Sequence, residues 1–144
     1  MRAVIDASVA VKWVFPDPLT EPHTDRALDI LDAVRQGRID VIQPVHWLLE
    51  TTAVVVRLNP DILQRASGLL DALELQVCDE HSVLLRAARL ATDLNHHLFD
   101  TLYHAVALER EATLITADER YARKASPRGR LAFLGDFVLA SRSD

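Results

Sequence analysis

Apolar runs too short for a helix alternate along the chain with longer stretches in which apolar positions recur every three or four residues. Ala3-Val4-Ile5 is the first such run; it stops at Asp6 and predicts a buried strand. Residues 8–14 predict a short helix, stopped by Phe15-Pro16-Asp17-Pro18. Ala27, Leu28, Leu31 and Val34 share one helical stripe, predicting a helix over about 22–36 with Gly37 as its stop. Val41-Ile42 predicts a second strand. Pro44 then suits the first turn of a helix reaching about Leu58, where Asn59-Pro60 ends it. Further helices are predicted over 61–74, 80–94 and 97–110, with a third strand over 75–78. Thr113-Leu114-Ile115-Thr116 predicts a fourth strand, 118–125 a short helix, 126–129 a turn and 131–134 a last strand.

Short apolar strands separated by helices predict an α/β fold, with a parallel sheet covered by helices on both faces. In such sheets the functional groups gather beyond the carboxyl ends of the strands. The 144 residues suit one domain, 1–144, and 49% hydrophobic with 26% charged residues excludes a disordered tail, a collagen-like fibre or a coiled coil. A single cysteine, Cys78, excludes an intramolecular disulfide and a cysteine-rich zinc site, and points to a reducing compartment. The first strand begins at once, without a signal-peptide pattern, and no apolar run reaches the roughly 20 residues of a membrane span. A cytoplasmic protein without membrane contact is the expectation. A net charge of −5 argues against a strongly basic nucleic-acid binder.

Four acids stand out. Asp6 follows strand one directly and Asp118 follows strand four by two residues, so both belong at the carboxyl edge. Glu50 interrupts the apolar stretch Trp47-Leu48-Leu49-Glu50-Thr51-Thr52-Ala53-Val54, and Asp100 lies within Leu98-Phe99-Asp100-Thr101-Leu102-Tyr103. Each has a structural explanation. Asp6 and Asp118 are placed to cap the helices that follow, Asp100 suits a helix first turn, and Glu50 has His46 and Arg57 within pairing reach. Jointly they could converge on one cleft, where their repulsion calls for protonation or a cation. Oxygen-only donors point to Mg²⁺ or Mn²⁺.

Four segments carry a family resemblance: Val4-Ile5-Asp6-Ala7-Ser8-Val9-Ala10, Pro44-Val45-His46-Trp47-Leu48-Leu49-Glu50, Phe99-Asp100-Thr101-Leu102-Tyr103-His104-Ala105-Val106-Ala107-Leu108 and Leu114-Ile115-Thr116-Ala117-Asp118-Glu119-Arg120-Tyr121. In this order they resemble PIN-domain ribonucleases, close to the VapC-like toxins of type II toxin–antitoxin pairs, over nearly the whole chain. Phe99 stands where tyrosine is common. The resemblance implies a five-stranded parallel sheet in the order 3-2-1-4-5. It also implies Mg²⁺- or Mn²⁺-dependent endoribonuclease activity, with Asp6, Glu50, Asp100 and Asp118 as catalytic acids. Asp6, Asp100 and Asp118 would hold metal, and Ser8 and Thr116 match supporting hydroxyls. The implied partners are RNA, a cognate antitoxin and a second copy in a homodimer. Arg120, Arg123, Lys124, Arg128 and Arg130 form a basic cluster suited to phosphates, or equally an ordinary solvated surface.

Other chemistries find less support. His96, His97, Asp100 and His104 could share a helical face and bind a transition metal, though no further histidine motif completes such a site. An aspartyl-phosphate enzyme would use Asp6 as nucleophile, but needs a lysine beside the phosphate, and Lys12 and Lys124 both fall inside predicted helices. A non-catalytic α/β interaction module would leave all four acids structural.

Overall fold

The structure is a computed structural model and describes residues 1–15 and 21–140. Its elements run β1 (Arg2–Ile5), α1 (Ala7–Val14), α2 (Thr24–Arg35), β2 (Asp40–Pro44), α3 (Trp47–Leu58), α4 (Leu63–Asp71), β3 (Gln76–Cys78), α5 (His81–Leu94), α6 (Leu98–Glu109), β4 (Thr113–Thr116), α7 (Glu119–Ala125) and β5 (Leu131–Phe133). All strand pairs are parallel, in the order β3-β2-β1-β4-β5. This is the α/β sheet, and the order, that the resemblance implied.

The strands nearest the centre are the most apolar and the most buried. Ala3, Val4 and Ile5 of β1 are fully buried, as are Leu114 and Ile115 of β4 to within 1%. The edge strands β3 and β5 are half-exposed. Helix α6 is apolar nearly all round, and Thr101 to Ala107 are buried without a break, because it lies across β1, β2 and β4 with α5 packed on its other side. Gly37 (φ +71) closes α2 in the left-handed conformation that its position predicted. Among the described residues no helix is long and apolar enough to cross a membrane.

Several boundaries differ from expectation. Pro44 does not open a helix; it ends β2, in register with Cys78, and α3 begins at Trp47. The β1–β2 ladder has already stopped at Ala3 and Val41, so a residue without an N–H costs that ladder nothing. The second helix starts at Thr24 rather than Pro22, because His23 takes a left-handed conformation (φ 60) that cannot continue a helix. The fourth helix stops at Asp71, short of Glu74, which is itself left-handed (φ 49). Phe15 caps α1, and the proposed stop at Pro16-Asp17-Pro18 lies outside the described residues.

One buried polar side chain sets the height of the central strand. Where the β1–β2 ladder ends, Gln43 extends it: its Oε1 accepts from the Ile5 N–H and its Nε2 donates to the Ile5 carbonyl, both at 2.8 Å. Gln43 is fully buried. Replacing it strands two buried backbone groups on the residue before Asp6. We expect Gln43→Leu to lower unfolding free energy by about 2–4 kcal/mol in urea titration; a loss under about 0.5 kcal/mol, the level of a neutral surface change, would show that water replaces the amide.

Candidate active site

In this parallel sheet the helices α1, α3, α6 and α7 start at the carboxyl edge. All four acids sit on such starts. Asp6 is the N-cap of α1 and accepts from the Ser8 N–H at 3.1 Å; Asp118 is the N-cap of α7 and accepts from the Tyr121 N–H at 3.0 Å. Glu50 and Asp100 lie in the first turns of α3 and α6. The positive ends of four helix dipoles therefore face the same acids. The capping explanations hold for Asp6 and Asp118, and capping leaves each with a second carboxylate oxygen.

Ser8 and Thr116 bind the two strand ends together. Ser8 Oγ donates to Asp6 Oδ2 at 2.5 Å and accepts from the Ala117 N–H at 2.9 Å. Thr116 Oγ1 accepts from the Asp118 N–H at 3.1 Å and lies 3.4 Å from Asp6 Oδ2. The two hydroxyls are 3.4 Å apart. Asp6 is thus oriented through Oδ2 alone among the described residues.

The acids feel one another. Burial raises the Asp6 carboxyl from 3.8 to about 6; the Ser8 hydrogen bonds oppose the rise, and the charges of Glu50 and Asp100 add to it. Tyr103, fully buried beneath them, has its hydroxyl pushed far above the usual value by burial and then by Asp6, Glu50 and Asp100. Burial likewise raises Tyr121, with Asp6, Asp100 and Asp118 contributing. Each of the two buried phenols, Tyr103 and Tyr121, therefore lies in the field of three of the four acids. No lysine or arginine contacts any of the four among the described residues; Lys12, buried in α1, spends its ammonium on Glu21 at 2.7 Å.

Two histidines meet two of the acids instead. His46 Nε2 lies 3.3 Å from Glu50 Oε2, and His96 Nε2 lies 2.9 Å from Asp100 Oδ2, each four residues before its partner. Pairing with His46 was one explanation for Glu50 in the sequence; Arg57 forms no ion pair with it. His104 stands apart, its ring nitrogens engaged by the Tyr121 hydroxyl and the Gly129 carbonyl, and burial keeps its pKa low. The four-membered histidine face that the sequence allowed is therefore reduced to the His96–Asp100 pair.

Do these residues suit a divalent metal? Among the described residues no three His, Cys, Asp or Glu side chains already form a group able to hold one. Asp100 and Glu50 are drawn toward histidines, and one Asp118 oxygen is spent on its cap. In kind, however, the donors fit a hard cation: clustered carboxylates without thiolate or ammonium. Two buried polar atoms at the cluster lack a well-aligned hydrogen bond: His46 Nδ1, and the Tyr103 hydroxyl, which faces Glu50. Such orphans are expected where a water or ion completes a site.

The basic cluster is partly spent. Arg123 pairs with Glu119 at 2.7 Å, Lys124 donates to the Asn95 carbonyl at 3.1 Å, and Arg128 lies 3.4 Å from Asp93. Arg120 and Arg130 form no ion pair among the described residues, so Arg120, two residues beyond Asp118, is the nearer uncommitted cation. Tyr103, Tyr121 and the role of His96 were not assigned from the sequence. Their only signal was spacing: three residues after Asp100, three after Asp118 and four before Asp100.

The Asp6 shift fixes a pH response. Its folded value lies above the ordinary one, so this group's stabilising contribution is full below pH 3.8 and is lost as pH rises through about 6. In metal-free buffer Asp6→Asn should exceed the parent in stability at pH 8 by on the order of 2–3 kcal/mol, a gap that closes by about pH 4. Equal denaturation midpoints at pH 8 would contradict the burial and repulsion that raise Asp6.

A family model for the PIN domain matches residues 3–127. No curated protein matches the sequence. Among solved structures, a chain of the crystal structure of VapBC2 from Rickettsia felis bound to a DNA fragment from their promoter superposes with a TM-score of 0.65 at 16% identity. The match covers 92% of this chain and 98% of that one, and establishes likeness of fold. With the family model spanning most of its length and the expected strand order in place, the chain belongs to the PIN-domain family.

Proposed function

We propose that this protein is a Mg²⁺- or Mn²⁺-dependent endoribonuclease and the toxin half of a toxin–antitoxin pair. The observation that carries the reading is the placement of Asp6, Glu50, Asp100 and Asp118 on helix starts at one sheet edge, with Asp6 raised first by burial and then by the charges of Glu50 and Asp100. Membership in the PIN-domain family supports a nuclease, and likeness to a VapBC2 chain supports an antitoxin partner. A homodimer and a cytoplasmic location belong to the same proposal.

Asp6, Asp100 and Asp118 would hold the ion, which when bound supplies an acidified water and neutralises charge on the phosphate. The protein's own groups do the remainder. Ser8 and Thr116 hold Asp6 so that one oxygen stays available. Glu50 orients the attacking water and accepts its proton. Asp118 completes the ligand set from the start of α7. Arg120 engages a phosphate beside the cleft. In-line attack at phosphorus breaks the bond to the 3′-oxygen, leaving a 5′-phosphate and a free 3′-hydroxyl.

Total RNA incubated with the protein should be cut in the presence of Mn²⁺ and left intact in EDTA, with Asp6→Asn and Asp100→Asn at least about a hundredfold slower. Parent-level cleavage by Asp6→Asn at matched metal would remove the acids from the chemistry. Because a bound cation stabilises only the folded form, 1 mM Mn²⁺ should raise the melting temperature of the parent but not of Asp6→Asn. An identical shift in both would place the ion elsewhere.

A further inference from the structure

Two of the acids ride on helices that scarcely meet. Helix α3, carrying Glu50, packs on α1 and α4; helix α6, carrying Asp100, packs on α5 and on the sheet. Yet a cleft of fixed geometry needs the two helices held at a fixed spacing.

His46 spans them. It directly precedes α3, and its Nε2 lies 2.7 Å from the carbonyl oxygen of Phe99, the residue before Asp100, and 3.3 Å from Glu50 Oε2. A carbonyl only accepts, so Nε2 carries the hydrogen. The same N–H therefore bonds the first turn of α6 and faces the Glu50 carboxylate. The ring is only 9% exposed, with its centroid 4.8 Å from that of Tyr103 and 5.6 Å from that of Phe99. Its Nδ1 is buried without a partner. Phenylalanine would fill the same space without burying that nitrogen, so the Nε2 contact is what histidine adds.

We propose that His46 is a positioning residue: by donating to the Phe99 carbonyl it sets the spacing of Glu50 and Asp100 and so tunes the affinity of the cleft for a divalent cation. The proposal rests on the cleft being a metal site. It assigns His46 no contact with metal or RNA. Its effect passes through the backbone of α6 and the orientation of Glu50, as supporting groups do for ligands elsewhere.

The test uses the full chain, with Mn²⁺ as the probe. His46→Phe keeps the packing and removes the donor; His46→Gln keeps an N–H able to reach the same carbonyl. Calorimetric titration should show His46→Phe binding Mn²⁺ at least about tenfold more weakly than the parent, with His46→Gln recovering most of the loss. RNA cleavage should lose kcat in the same order with KM for RNA unchanged. Parent-like Mn²⁺ affinity in His46→Phe overturns the proposal, as does a glutamine variant no better than phenylalanine. His46→Asn, too short to reach Phe99, serves if the phenylalanine variant does not fold. If the parent itself binds no Mn²⁺, the metal reading of the cleft fails. A crystal structure of His46→Phe then judges the tie alone: a widened gap between Glu50 and the Phe99 carbonyl supports it, and an unchanged gap overturns it.

Discussion

Ionised Asp6 is partly withdrawn from water and stands within the fields of Glu50 and Asp100, and the neighbouring features bear on how the fold sustains that burial and repulsion. Four helix N-termini supply the compensation. A parallel sheet with returning helices brings their positive ends to one edge, where each meets one acid as an N-cap or first-turn residue. Partial charges of this kind lower the cost of clustering anions without neutralising them. Placed ammonium or guanidinium groups would do more, and none touches the acids among the described residues. The repulsion among the acids is therefore not offset by any lysine or arginine among the described residues.

The structural and chemical explanations of the acids are not rivals. A carboxylate has two oxygens, and the fold needs one of them. Asp6 Oδ2 takes the Ser8 and Thr116 contacts, and Asp118 Oδ1 caps α7. Glu50 and Asp100 are steadied by histidines one helical turn earlier. Below them, Gln43 anchors Ile5 on the β2 side while the Asp6 N–H donates to Ile115 on the β4 side at 3.0 Å. Asp6 is thus held from both flanks of the central strand. Loss of the Gln43 amide would disturb the site through the backbone without touching an acid.

Much of this was legible in the chain. Short apolar runs marked the strands: the central ones because a strand covered on both faces is apolar through its middle, as Ala3-Val4-Ile5 and Leu114-Ile115 are, and the half-exposed edge strands by shorter runs of the same kind. The helices followed from their stripes, and the acids from where polar residues interrupt those runs. Strand order came from family resemblance and not from periodicity, since hydrophobic pattern says which faces are buried but not which strands are neighbours. Pro44 was misplaced because proline suits both a helix first turn and a strand end, and only the extent of the neighbouring ladder distinguishes them. Gln43 and Tyr103 escaped notice because their importance lies in partners 38 residues away or on other elements.

The sequence by itself determined the elements and the identity of the four acids, because burial and capping are local preferences written residue by residue. Only the tertiary structure decided that Glu50 and Asp100 lie close enough for their charges to act on Asp6, that His46 and His96 stand beside two of the acids, and that Arg123 and Arg128 of the basic cluster are already paired. Those are facts of distance between elements remote in the chain, and electrostatic interaction depends on distance in space, which no spacing along a sequence encodes.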